Sequence, residues 1–180
     1  MRKALLSIVV VLIVAELAGC GPRRVEPPRT VSDPSFNPQE IPKIAVLVLP
    51  ARPRPTRMIE DEFITVLIRK GYKVPSRSDL EELMKESKFQ RSGLTDSDAA
   101  RLGKILNVPA VLIVSLTEFD IKTGRDYSYV NATLSARLIG VEKTEILWIG
   151  TISDWHSTRN SNYLLTNMAR NIARSIPARY

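Results

Sequence analysis

The chain carries a single cysteine and a single histidine in 180 residues. A lone Cys20 excludes an intrachain disulfide even in an oxidising compartment, and with it any thiolate metal cluster. With His156 as the one imidazole and no free cysteine left over, no metal-ligand set can be assembled. Asp154, His156 and Ser157 do not make a hydrolase triad, because neighbours on one strand point to opposite faces. His156 is read instead as a surface residue at a strand end. No G-x-G-x-x-G or Walker-type loop follows either apolar strand, so phosphate binding has no support. Carboxylates paired at Asp61-Glu62, Glu81-Glu82 and Asp96/Asp98 fall in or just before the first turn of a helix, where capping and dipole compensation explain them. Aromatics are 6% of the residues and the arginines lie apart from them, so a base-stacking surface is missing. These absences argue against an enzyme, a cofactor, a metal and a nucleic-acid partner.

A membrane-length apolar run is lacking too. Arg2 and Lys3 precede Ala4 to Ala15, a stretch too short for a span of ~20 residues, and the pair reads as an export signal. Behind it, Leu17-Ala18-Gly19-Cys20 resembles the lipobox of bacterial lipoproteins, with Glu16 as a departure inside the apolar stretch. The small residues Ala18 and Gly19 admit a peptidase to the backbone. The resemblance implies that the Cys20 thiol is acylated, palmitate included, and becomes the mature N-terminus, so that membrane lipid is one partner; two acyl chains or more anchor stably. In such lipoproteins an aspartate after the cysteine favours inner-membrane retention. Gly21 stands there, which implies the outer membrane with the domain facing the periplasm.

Loss of residues 1–19 leaves 161, enough for one domain with a core and a tail. The formal charge falls from +7 to about +6 as Arg2, Lys3 and Glu16 leave, a balance that favours anionic envelope partners such as acidic glycans and lipid phosphates. Residues 20–42 read as the lipidated cysteine and a tether, with six prolines between Gly21 and Pro42. Extended as polyproline, it would reach roughly 70 Å. The alternative is that part of it lies along the domain through Val31 and Phe36.

Residues 43–180 read as the folded domain. The unbroken apolar run within Lys43 to Leu49 predicts a central strand covered on both faces. A helix is predicted from Arg57 to Lys70, with Ile59, Phe63, Val66 and Leu67 inward and Gly71 as its stop. Tyr72 to Pro75 suggest a short strand, and Ser78-Asp79-Leu80-Glu81 a capping box opening a helix with Leu80, Leu83 and Met84 inward. Thr95-Asp96-Ser97-Asp98 opens another, carrying Ala99, Leu102, Gly103 and Leu106; Gly103 costs helix stability and is read as permitting close packing. Val108 to Ile121 predicts a second central strand that loosens towards Asp120. From Tyr127 to Ile139 strict alternation places Val130, Ala132, Leu134, Ala136 and Leu138 on one face and Tyr129, Asn131, Thr133, Ser135 and Arg137 on the other. A turn at Glu142-Lys143-Thr144 leads to a strand over Ile146 to Ile152, then a helix from about Asn160 with Leu165, Met168, Ile172 and Ile176 inward. The order β-α-β-α-α-β-β-β-α is that of a single α/β sandwich, three-layer-like, on a mixed sheet.

Several of these stretches resemble the CsgG family of curli-secretion lipoproteins and their relatives. They are Val74-Pro75-Ser76-Arg77-Ser78-Asp79-Leu80-Glu81-Glu82-Leu83-Met84-Lys85-Glu86, Ser92-Gly93-Leu94-Thr95-Asp96, Ala99-Ala100-Arg101-Leu102-Gly103-Lys104-Ile105-Leu106, Val114-Ser115-Leu116-Thr117-Glu118-Phe119, Ala136-Arg137-Leu138-Ile139 and Glu145-Ile146-Leu147-Trp148. The likeness spans about Lys43 to Asp154. Secreting members resemble rings to which each protomer adds two membrane hairpins, a demand of ~40 residues. Pro50 to Thr56 and Lys122 to Asp126 are too short to supply them. The chain is also similar to the lipoproteins that activate class A penicillin-binding proteins, which combine a lipobox, a proline-rich tether and a small α/β domain.

Two surfaces stand out as partner-binding candidates. Arg52, Arg54 and Arg57 lie on a proline-stiffened loop after the first central strand, where α/β sheets bind ligands, and offer forked donors to carboxylates. A solvated connector is the alternative. Tyr127, Tyr129 and Arg137 lie on the polar face of the alternating strand, and tyrosine and arginine are typical interface anchors; the alternative is that the last helix covers that face. The expected function is a non-enzymatic, outer-membrane-anchored assembly factor that binds a periplasmic or outer-membrane protein, with homo-oligomerisation open. Activation of a penicillin-binding protein and a subunit role in a secretion channel are the alternatives.

Overall fold

The computed structural model describes residues 26–49, 56–86, 94–123, 128–156 and 161–180. Five strands form one sheet in the order β1-β5-β4-β3-β2. They are β1 (Arg29–Ser32), β2 (Ile44–Val48), β3 (Ala110–Thr123), β4 (Ser128–Gly140) and β5 (Glu145–His156), with helices α1 (Arg57–Arg69), α2 (Arg77–Glu86), α3 (Asp96–Ile105) and α4 (Ser161–Ser175). Only β2 and β3 run parallel, and the crossover between them carries α1, α2 and α3. The remaining pairs are antiparallel.

The apolar run of β2 is explained by two cores. Ile44, Val46 and Val48 face the larger one, with Leu112, Leu134 and Trp148 from the sheet, Phe63 and Leu67 from α1, and Met168 and Ile172 from α4. Ala45 and Leu47 face the other, with Val111, Ile113 and Ile139, covered by Leu80 and Met84 of α2 and Leu102 of α3. Each large aliphatic or aromatic side chain so enclosed contributes ~1.5–3 kcal/mol. The mixed-sheet α/β sandwich expected from the sequence is therefore the observed class, with α1 and α4 on one face and α2 and α3 on the other.

The helix faces follow the expected spacing: Ile59, Phe63, Val66 and Leu67 of α1 are buried, as are Leu165, Met168, Ile172 and Ile176 at the C-terminal end. Thr95 makes the expected capping box with Asp98. Gly103 is where α3 meets the sheet. A Cβ there would stand 2.9 Å from Val111 Cγ2 and still nearer to Val141, so glycine permits the approach.

The structure differs from the sequence reading in three places. The second half of the stretch read as a tether is folded, in line with the alternative through Val31 and Phe36: Arg29 to Ser32 pair with Thr151 to Trp148 as the outermost strand, Phe36 packs against the larger core, and Pro38–Glu40 forms a 3-10 turn. A polar four-residue strand lacks a pattern of its own, and the exposed edge of β5 supplies its partner. Tyr72 to Pro75 are not a strand but a single bridge, Lys73 to Lys43. Gly71, at φ 86, turns the chain, and the Tyr72 hydroxyl is drawn to the Pro177 carbonyl at 2.7 Å. Helix α2 begins at Arg77, and Ser76 rather than Ser78 caps it, its Oγ accepting from the Asp79 amide at 3.2 Å. Arg77 is held in the first turn by Glu60 Oε1 at 2.9 Å and Asp61 Oδ1 at 2.6 Å.

Candidate interaction surface

Helices α2 and α3 cover β2, β3 and the Ile139 end of β4 on their sheet face; among the described residues, no helix covers the rest of that face on β4, β5 and β1. Alternation along β4 places Tyr129, Asn131, Thr133, Ser135 and Arg137 on it, and register brings Trp155, Ser153, Thr151 and Ile149 of β5 alongside. Helix α4 packs on the opposite face, against Leu134 and Ile152, so it does not cover this one. On β3, an irregularity between Leu116 and Glu118 shifts the alternation. Glu118, Asp120 and Lys122 then face the same way as Thr133, Asn131 and Tyr129.

A lattice of polar side chains ties the three strands together. Glu118 accepts from Asn131 Nδ2 at 3.1 Å and from Thr133 Oγ1 at 3.0 Å. Thr133 Oγ1 also lies 2.9 Å from Ser153 Oγ, and Ser135 Oγ lies 3.4 Å from Thr151 Oγ1. At the lattice's end Arg137 Nε stands 3.1 Å from Asp96 Oδ1. That ion pair lacks hydrogen-bond alignment although both atoms are shielded from water. It joins the first turn of α3 to the open face.

Beyond Arg137 the face turns aliphatic. Ile149 pairs with Arg137 on one side and with Val31 on the other. Val31 is 68% exposed and Ile146 44%. Two exposed aliphatic side chains, Val31 and Ile146, flank half-buried Ile149 on adjoining strands beside the partly exposed Arg137, and the patch has the chemical character of an interface.

Of the residues singled out in the sequence, Tyr129 and Arg137 lie on this face together, separated by the hydroxyl lattice. Arg57 is exposed at the start of α1, away from them. Cys20 with its lipobox Leu17, Ala18 and Gly19, as well as Arg52, Arg54 and Tyr127, lies outside the described residues. His156 pairs in register with Val130 at the end of β5. Sequence reading missed Val31, Ile149, Glu118 and Trp155 as parts of the surface. Glu118 was hidden by the strand irregularity, and Val31 by the unpatterned β1. The carboxylates assigned to helix dipoles have partners as well: Glu62 takes a forked pair of bonds from Arg170, at 2.8 and 3.0 Å, and these bonds keep the guanidinium firmly protonated. No helix among the described residues is long and apolar enough to cross a membrane.

The model of the CsgG family, described as curli production assembly/transport component, matches residues 55–128. No curated protein sequence matches the chain. In fold it is similar to the PelC dodecamer of Paraburkholderia phytofirmans, at 18% identity and a TM-score of 0.56, over 85% of this chain and 98% of that one. It is also similar to the lipoprotein GNA1162 of Neisseria meningitidis, at 23% identity and a TM-score of 0.54, over 70% and 90% of the two chains. The chain is thus CsgG-like in sequence over residues 55–128, and similar in fold to these two proteins over most of its length.

Proposed function

We propose that this protein is a non-enzymatic lipoprotein of the cell envelope, held at the outer membrane through acylated Cys20 with its domain facing the periplasm. Its copies join into a ring through the aliphatic end of the open sheet face, around Val31, Ile146 and Ile149, leaving the Trp155 end uncovered. The observation that carries this reading is the patch of exposed Val31 and Ile146 around half-buried Ile149, beside the Arg137–Asp96 pair, an apolar surface that the described helices leave uncovered. Two supports come from similar proteins: the matching family is described as an assembly and transport component, and the PelC structure that this chain covers almost entirely is a dodecamer. A ring needs two different patches on each copy, and the basic residues Arg52, Arg54 and Arg57, of which Arg57 is exposed at the start of α1, are the second, for an acidic counterpart. The opening of β3, Ala110 to Val114, is buried on both faces as in a protein core, so the ring is one of folded domains.

The placement is tested by feeding cells a clickable palmitate analogue and fractionating their envelopes. Wild-type chain is expected to carry label and to fractionate with the outer membrane, and Cys20→Ser to lose both. An unlabelled wild type, or a Cys20→Ser variant that fractionates unchanged, contradicts it.

A further inference from the structure

At the end of the sheet remote from the β4–β5 turn, five side chains line a groove of about 480 Å³: Asp120 and Lys122 of β3, Tyr129 and Asn131 of β4, and Trp155 of β5. That volume falls within the ~300–1,000 Å³ of small-ligand sites. Asp120, Asn131 and Trp155 stand in one row across three strands, and Lys122 lies opposite Tyr129 in the next. Of the two tryptophans, Trp148 is enclosed in the core whereas Trp155 is 54% exposed. The exposed indole offers a broad apolar platform with a negative face.

The polar groups around it are arranged for hydroxyls. Lys122 Nζ stands 3.9 Å from Asp120 Oδ2, beyond hydrogen-bond distance, so a donor and an acceptor sit side by side with capacity to spare. Two adjacent hydroxyls can use both, one accepting from the ammonium and the other donating to the carboxylate. Asn131 Nδ2 is committed to Glu118, which fixes the amide and leaves its Oδ1 as a further acceptor. The charges disfavour an ionic guest: an anion would meet Asp120, and a cation would meet Lys122. A ligand that is neutral, carries adjacent hydroxyls and has an apolar C–H face to lay on an indole is a pyranose ring.

We propose that this groove binds a neutral pyranose unit of a glycan chain, stacked on Trp155 and hydrogen-bonded by Asp120, Lys122 and Asn131. The test uses the full-length protein in a detergent without a sugar headgroup, titrated separately with N-acetylglucosamine tetramer and cellotetraose. The readout is acrylamide quenching of tryptophan emission, which reports Trp155 because Trp148 is enclosed. Saturable protection by at least one of the two sugars is expected. Calorimetry with that sugar is expected to show binding weakened about tenfold in Trp155→Ala, the scale of one aromatic contact. Asp120→Ala, at an exposed position where the fold is not at risk, is expected to weaken binding as well, with circular dichroism unchanged. The proposal is overturned if neither sugar protects, if Trp155→Ala binds as wild type does, or if phospholipid vesicles protect the indole while the sugars do not.

Discussion

The indole of Trp148 folds back over Gly150, two residues along β5, so that a Cβ at Gly150 would stand 2.5 Å from Cη2 and 2.7 Å from Cζ2. The largest enclosed side chain of the core thus depends on a missing side chain next to it. Gly150→Ala is expected to lower stability by ~1–3 kcal/mol through overpacking. Urea unfolding measures it. Adding Trp148→Phe to Gly150→Ala should cost less than the sum of the two separate changes, because the smaller ring relieves the clash.

Helices α1 and α4 are clamped by the fork from Arg170 to Glu62. A double-mutant cycle of Glu62→Ala and Arg170→Ala should give a coupling of ~0.5–1 kcal/mol, since both groups are partly solvated. The coupling should shrink in molar salt.

Burial pushes the Tyr72 phenol from 10.0 up to about 12, with the charge of Arg179 opposing the rise. The neutral phenol is the form the fold favours. Its contribution is complete below about pH 10 and is lost as pH climbs through about 12. Tyr72→Phe removes the hydrogen bond to Pro177, costs ~1 kcal/mol at neutral pH, and should flatten the alkaline decline. Lys70, whose pKa desolvation lowers, works in the opposite sense. The comparison is therefore between wild type and variant at each pH.

Thr95 Oγ1 accepts from the Asp98 amide at 3.2 Å, and Asp98 Oδ2 accepts from the Thr95 amide at 3.1 Å. Thr95→Ala should cost ~1 kcal/mol. The hydrogen bonds from Thr95 hold the Asp98 carboxyl below 3.8. Its stabilisation is therefore present above that value and lost as pH falls through the lowered one. Thermal unfolding of wild type and Thr95→Ala should accordingly converge in acid.

Where the fold was legible in the sequence, a buried face left a periodic trace. Ile44 to Val48 announced a strand between two cores, Thr95 to Asp98 a capped helix, and Gly103 a close approach. Where it was not, the deciding contact was remote. Arg29 to Ser32 become a strand because β5 offers an edge, and Ser76 displaces Ser78 as cap because Arg77 is anchored by Glu60 and Asp61 on another helix. The candidate surface was half legible. Alternation placed Tyr129 and Arg137 on one face, whereas Val31 and Ile149 joined it through strand order, and Glu118 through an irregularity that sequence periodicity does not show.

The central claim is that the aliphatic end of the open sheet face, around Val31, Ile146 and Ile149, joins copies of this chain. Its most direct test is the particle mass of the full-length protein in detergent, measured by light scattering for wild type and for Ile149→Asp, which places a carboxylate in the aliphatic patch. The account predicts a discrete ring of many protomers for wild type and dissociation to smaller species for the variant, with circular dichroism preserved. A wild type that is monomeric, or an Ile149→Asp ring of undiminished mass, contradicts it.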